Sequence, residues 1–288
     1  MPQLAYLAPS SPEEAAAALA AAGARPLSGG TDLLVQLRAG RVRPDVIVDL
    51  KGVPGAVGVR EAAGGFVIGA STCGAVLGEH AALARAWPGV VEGATLIGST
   101  QVQGRASLGG NLCNASPAAD GVPALIAARA TAVVVGPNGR REVPVETIPV
   151  GPGQTSLQPG EFILEFRLPP RPKRASDAYL RLIPRTEMDI AVVGAGVSLA
   201  LDEAGNVAEA HVALGAVAPT ALLVEDAGAA LVGSRLDDAA LGKLDAAARA
   251  ACRPISDKRG TAEYRTRIAG VLAKRAALIA FSRAGGVR

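Results

Sequence analysis

The run Gln101-Val102-Gln103-Gly104-Arg105-Ala106-Ser107-Leu108-Gly109-Gly110-Asn111-Leu112-Cys113-Asn114-Ala115-Ser116-Pro117-Ala118-Ala119-Asp120 decides how this chain is read. Gly109 and Gly110, flanked by Ser107 and Asn111, predict a turn that exposes backbone N–H groups and lets a ligand approach the main chain closely. Asn111, Asn114, Ser116 and Asp120 then crowd into one Pro-broken segment. A plain hairpin turn does not account for that polar company. A second loop of the same character, Ser28-Gly29-Gly30-Thr31-Asp32, lies far upstream. Two separated glycine cradles suggest one extended, phosphate-bearing ligand held at two points. A strand ending at Leu27 would aim the N–H groups of Gly29, Gly30 and Thr31 at a diphosphate, and the following helix would add the positive end of its dipole. The loop lacks the lysine of a P-loop, which argues against triphosphate hydrolysis.

Bulk properties narrow the class. With 288 residues the chain has room for two domains, at roughly 150 residues each. Only 3% is aromatic against 49% hydrophobic, so Ala, Val, Leu and Gly must do most of the packing. The +3 net charge is too even for a nucleic-acid partner, which favours a clustered basic face. No apolar run approaches the roughly 20 residues of a membrane span, and the N-terminus lacks the basic and apolar regions of a signal peptide. A cytoplasmic protein is expected. Cys73, Cys113 and Cys252 are widely spaced without a CxxC, so reduced structural thiols are expected rather than a disulfide framework or a metal centre. His80 and His211 leave little material for a histidine metal site or a Ser/His/Asp triad.

Working outward, Ser11, Pro12 and Glu14 predict a capped first helix that ends at Gly23. Thr31 or Asp32 should cap a second helix over 33–39, and Val46 to Leu50 reads as a buried strand. Strands are expected at 66–69 and 131–135, the latter turning at Pro137-Asn138-Gly139 into a partner near 141–145. Helices are expected at 88–98 and from Pro123. The stretch 161–168 alternates with period two and predicts a half-buried strand. Pro169-Pro170-Arg171-Pro172-Lys173-Arg174 reads as a solvated linker and the natural domain boundary. Beyond it, strands at 190–201 and 207–217 precede helices at 222–232, 237–250 and 261–282. Strands followed by helices indicate an α+β architecture. Gly194-Ala195-Gly196 imitates a Rossmann fingerprint, but Leu199 replaces the third glycine and apolar alternation continues through it; small residues in a packed strand explain it better.

A buried or ligand-facing carboxylate such as Asp120 is costly without donors, and ribose hydroxyls or the polar edge of a flavin would supply them. With that, the resemblance becomes specific. Pro26-Leu27-Ser28-Gly29-Gly30-Thr31-Asp32-Leu33, then Ser107-Leu108-Gly109-Gly110-Asn111 followed by Ala115 to Asp120, and finally Ser256 to Arg265 resemble the flavin-bearing medium subunit of the molybdenum hydroxylases, the xanthine dehydrogenase and carbon monoxide dehydrogenase family. The similarity covers essentially the whole chain. It implies a PCMH-type (vanillyl-alcohol-oxidase-like) FAD-binding fold over 1–170, with subdomains of about 1–52 and 53–170, and a smaller α+β C-terminal domain over 175–288. FAD would lie on the two loops. By the same resemblance Ile97 would sit against the flavin, where some relatives have an aromatic residue. Asp120 would bind polar groups of the cofactor, and Ile163 and Arg181 match two further contact positions, the latter a lysine in some relatives. The implied partners are a large molybdopterin subunit and a small subunit with two-iron two-sulfur clusters, assembled as a dimer of heterotrimers. Electrons would pass through this FAD to NAD, oxygen or a quinone, and no catalytic acid–base pair is needed here. The alternatives are a free-standing FAD oxidoreductase, whose substrate base could only be Tyr179, His211 or Glu187, and a flavin-free assembly subunit.

Overall fold

The computed structural model describes residues 4–288. Its first fifty residues alternate strand and helix: β1 (Ala5–Leu7), α1 (Pro12–Leu19), β2 (Ala24–Leu27), α2 (Leu33–Arg38) and β3 (Val46–Asp49). The strands pair in parallel in the order β1-β3-β2, so within the α+β whole this lobe is itself built of βαβ units. Helix α1 starts as expected, with Pro12 at its first position and Ser11 Oγ accepting from Glu14 N at 3.1 Å. The reciprocal half of the capping box is shifted, because the Glu14 carboxylate accepts from Ser10 N instead. The helix presents Ala15, Ala16 and Leu19 to a core shared with Val48, Phe162 and Leu164.

The second lobe runs from β4 (Val59–Ala62) and β5 (Gly65–Gly69) through six short helices. These are α3 (Gly74–Glu79), α4 (Ala81–Ala86), α5 (Pro88–Thr95), α6 (Thr100–Gln103), α7 (Leu108–Cys113) and α8 (Gly121–Ala127). Then come β6 (Thr131–Gly136), β7 (Gly139–Pro144), the small pair β8 (Pro149–Gly151) and β9 (Gln154–Thr155), and β10 (Phe162–Leu168). The main sheet is antiparallel in the order β4-β5-β10-β6-β7.

Strand β10 is central and buried at every position but Arg167, not half-buried. It carries an irregularity between Ile163 and Glu165. Phe162 and Leu164 enter the core beneath α1, whereas Ile163, Phe166 and Leu168 enter the core beneath α3 to α8. An inserted residue reverses the side-chain alternation, which lets one strand feed both cores.

The C-terminal domain is a four-stranded antiparallel sheet, β11 (Ala175–Leu182), β12 (Val193–Leu201), β13 (Val207–Gly215) and β14 (Leu222–Leu223), followed by α9 (Glu225–Ala229), α10 (Asp238–Ala251) and α11 (Ala262–Arg283). Helix α9 and β14 replace the single helix expected over 222–232, and residues 190–192 lie outside the strand. The alanine face of α11 (Ala269, Ala273, Ala276, Ala280) packs on one side of the sheet. Helices α5 and α8 of the preceding lobe pack against this sheet too. One glycine of the false Rossmann motif makes that fit possible: a Cβ on Gly196 would stand 2.6 Å from Pro123 O, while one on Gly194 would stand 2.6 Å from Oη of Tyr179 within the same sheet.

Strand β11 was not expected from the sequence, and it forms the seam between the domains. The Pro-rich segment preceding it is not merely a solvated linker either. Arg171 is half-buried with its side chain largely enclosed, 3.8 Å above the Trp87 ring, and its guanidinium pairs with Asp177 Oδ1 at 2.7 Å. It also donates to Ala86 O and to Ser198 Oγ. Asp177 accepts from Val90 N at 3.1 Å as well. Breaking one partner out of a buried pair strands a charge, at about 3–5 kcal/mol. Arg171→Ala should therefore lower the midpoint of thermal unfolding by roughly 10 °C, measured by calorimetry, and a change within a degree or two would show that the clasp contributes little.

Candidate functional site

Strands β2 and β3 are parallel and end at the same edge of their sheet, where the first glycine loop begins. Ligands of open parallel sheets gather outside such carboxyl ends. Three carbonyls here are anchored inward. Leu27 O accepts from Leu50 N at 2.9 Å, Ser28 O from Lys51 Nζ at 3.0 Å, and Gly30 O from Leu34 N at 3.0 Å. In a trans peptide the N–H points opposite to the C=O, so the N–H groups of Ser28, Gly29 and Thr31 are turned the other way. Among the described residues no protein acceptor meets the N–H groups of Ser28 to Asp32. Gly30 has φ +77°, a left-handed conformation that glycine adopts without strain. Asp32 precedes α2 without capping it; its Oδ1 instead accepts from Asn114 Nδ2 at 3.4 Å, and burial pushes its carboxyl up.

The second loop differs from the predicted turn. Gly109 and Gly110 lie in the first turn of α7, with Ser107 as the N-cap accepting from Gly110 N at 3.2 Å. Ser107, with a favourable capping side chain, directs the segment into helix. Gly109 is needed for packing, since its Cβ would lie 2.5 Å from Ala70 O. A Cβ on Gly110 would meet only Ser107 Oγ, at 3.2 Å. The two loops abut: Ser28 Oγ and Ser107 Oγ are 2.7 Å apart, and a Cβ on Gly29 would fall 1.8 Å from Arg105 O.

From α7 the site continues to the domain seam. Asn111 Oδ1 accepts from Gly121 N at 3.0 Å, opening α8. A Cβ on Gly121 would touch Leu108 and Asn111 and come within 3.7 Å of Ile97 Cδ1, so these four residues are neighbours. Beside Gly121, Asp120 is 7% exposed and both its oxygens are engaged. Oδ1 accepts from Tyr179 Oη at 2.9 Å and Oδ2 from Arg181 Nη1 at 2.6 Å. Burial pushes the Asp120 carboxyl up, against the pull of Arg181 and Tyr179. Among the described residues no protein acceptor meets the remaining side-chain donors of Arg181. Thus the arrangement joins Ser28, Ser107, Asn111, Asp120 and Arg181 in one continuous line across both domains.

The other expected residues divide. Pro26 is exposed and Thr31 and Leu33 half-buried around the first loop, while Leu27 and Leu108 are buried beneath the loops. Ile163 is 4% exposed in β10 opposite Val134, its side chain committed to the core rather than brought to this line. Of the bases considered, Tyr179 is wholly buried and donates to Asp120, Glu187 accepts from Thr100 N, and His211 lies beside Glu209 on β13. Lys51 was missed. Its signal was present in its position just past the end of β3, the strand adjoining the one that delivers the loop.

Among the described residues no helix is long and apolar enough to cross a membrane, and no cluster of three or more His, Cys, Asp or Glu could hold a metal ion. Residues 2–171 match the family model of the FAD-binding domain in molybdopterin dehydrogenase, and residues 178–280 match that of the CO dehydrogenase flavoprotein C-terminal domain. The chain is 38% identical to the carbon monoxide dehydrogenase medium chain of Afipia carboxidovorans, covering 97% of each. It is 30% identical to the xanthine dehydrogenase FAD-binding subunit of Escherichia coli O157:H7, over 91% of this chain and 90% of that one. A crystal structure of the Cu,Mo-CO dehydrogenase contains a chain superposing with a TM-score of 0.93 at 36% identity, over 98% of this chain and 99% of that one.

Burial and then the Asp120 charge hold the Tyr179 phenol well above its usual range. The native state therefore keeps this proton more tightly than the unfolded chain. Its contribution to stability is complete below the ordinary tyrosine pKa of about 10 and declines as pH rises above it. Thermal unfolding measured between pH 8 and pH 11 (about one unit either side of that value) should show a smaller alkaline loss in Tyr179→Phe than in the unmodified chain. Equal losses would remove Tyr179 from the account.

Proposed function

Because this chain belongs to the family of FAD-binding subunits of the molybdenum hydroxylases, we propose that its two glycine loops hold the FAD diphosphate and that its role is electron relay. The observation that carries the reading is the row of acceptor-free N–H groups from Ser28 to Asp32, set against Ser107 and the start of α7 that holds Gly109 and Gly110. An anion is the natural complement of such a row. Pro26, Leu27, Ser28, Gly29, Gly30, Thr31, Asp32 and Leu33 form the first half of the clamp, and Ser107, Leu108, Gly109, Gly110 and Asn111 the second. Ile97 offers an apolar surface to the ring. Arg181 offers unspent donors, and Asp120, whose oxygens Tyr179 and Arg181 already occupy, serves to hold it. Ile163 supports the site through the core.

Bound FAD supplies the capacity to take up and release electrons singly or in pairs. The protein positions the cofactor and excludes water at its buried end. In this reading electrons arrive from a small subunit carrying two-iron two-sulfur clusters, after a large molybdopterin subunit has oxidised the substrate. They leave to NAD, oxygen or a quinone. A dimer of heterotrimers in the cytoplasm is the proposed setting. Relatives described as medium chains, and one as a subunit of a dehydrogenase complex, support a multi-subunit assembly. The burial of Tyr179 favours a relay over a free-standing oxidase with its own substrate base.

The purified chain should show a flavin absorbance band that is released on denaturation; a colourless protein that ignores added FAD would refute the reading. Gly110→Val adds its side chain where only Ser107 Oγ is near. Affinity for FAD should fall about tenfold or more, equivalent to about 1.4 kcal/mol of binding, and flavin content with it, with the unfolding temperature changed by only a few degrees. Undiminished flavin would misplace the diphosphate.

A further inference from the structure

Lys51 reaches the first glycine loop from outside it. Its ammonium donates to Ser28 O at 3.0 Å and pairs with Asp49 Oδ1 at 2.6 Å, while Tyr6 Oη donates to Asp49 Oδ2 at 2.6 Å. Burial would raise the Asp49 carboxyl, but the bonds from Lys51 and Tyr6 hold it below its usual range, so it stays charged as the anchor of the lysine. Lys51 is thus tethered at one side and holds the loop at the other.

The consequence lies in one peptide plane. The Ser28–Gly29 bond is trans, like every other described, so fixing Ser28 O toward Lys51 turns the Gly29 N–H away from it. Gly29 has no freedom to answer by moving its α-carbon, which is pressed against Arg105 O of the second loop. The neighbouring planes are set by main-chain bonds, Leu27 O to Leu50 N and Gly30 O to Leu34 N. The Ser28 carbonyl alone among these is held by a side chain.

We propose that Lys51 is a positioning residue for the cofactor diphosphate, pinning the Ser28 carbonyl so that the Gly29 N–H faces the anion. The assignment rests on the FAD reading above. It supplies from the end of β3 the lysine that the loop sequence lacks, acting on the peptide rather than as a bare charge, because Asp49 neutralises it.

The test is titration of the full chain, stripped of flavin, with FAD, ADP and riboflavin. In Lys51→Met the affinities for FAD and ADP, which share the diphosphate, should fall about tenfold, the scale of one lost charge-assisted hydrogen bond. Riboflavin, which has no phosphate, should bind unchanged, and Lys51→Arg should restore most of the loss. The Asp49→Asn, Lys51→Met double variant leaves no unpaired carboxylate and should show the same selective defect, separating it from misfolding. Wild-type affinity for FAD and ADP in the double variant overturns the proposal, as does a loss that extends equally to riboflavin. Failure of the unmodified chain to bind FAD is a different result, and it removes the functional reading itself.

Discussion

Charge buried at the seam between the domains must be paired, and that requirement holds this molecule together. Strand β11 presents Asp177, Tyr179 and Arg181 at alternate positions toward the preceding lobe, while Ala178, Leu180 and Leu182 pack on the C-terminal core. Asp177 takes Arg171 from the connecting segment, and Arg181 takes Asp120 from the loop before α8. Neither pair can be broken without leaving a desolvated charge, so the domains are fastened at two points along one strand. Arg283 adds an outer tie, donating to Asp177 O and to Glu92. The second of the buried pairs is also the inner end of the candidate site. Domain docking and the candidate site therefore share one ion pair.

Small residues make the docking close enough for those bonds to form. Gly89 lies against Asp177, Gly196 and Gly215 against Pro123, and Gly29 against Arg105; a Cβ at any of them would overlap its neighbour. This is the physical use of a composition poor in aromatics and rich in glycine. Main chain approaches main chain across the seam and between the loops, and the polar groups left at those approaches are available for pairing or for a ligand.

Much of the candidate site was legible because loops of this kind are local. Ser28 to Asp32 and Ser107 to Asn111 carry their chemistry in adjacent residues, and Asp120 stood out as a carboxylate among small side chains. The first helix begins where the Ser11 cap places it, and the helices expected from 237 and 261 begin one residue on, with Asp237 and Thr261 as their N-caps. Strand β11 carries polar residues at alternate positions, as a solvent-facing strand would, and no local run of sequence shows that another domain covers that side. The Gly109-Gly110 pair was misread as a turn because glycine's freedom is visible in sequence, but the Ser107 cap and the Ala70 wall that bend it into a helix are not both local.

The sequence by itself determined the family, and it raised the two glycine-bearing runs and the Pro-rich break near residue 170 as expectations, since each is written in short runs whose backbone preferences are local. Tertiary structure alone decided which groups are spent and which remain free. Asp120 became an anchor when Tyr179 and Arg181 occupied its oxygens, and Arg171 became a clasp when Trp87 and Asp177 enclosed it. Lys51 joined a loop more than twenty residues away in sequence because two parallel strands end side by side. Hydrogen-bond partners and desolvation depend on what lies across space, and a linear chain does not carry that information in any single segment.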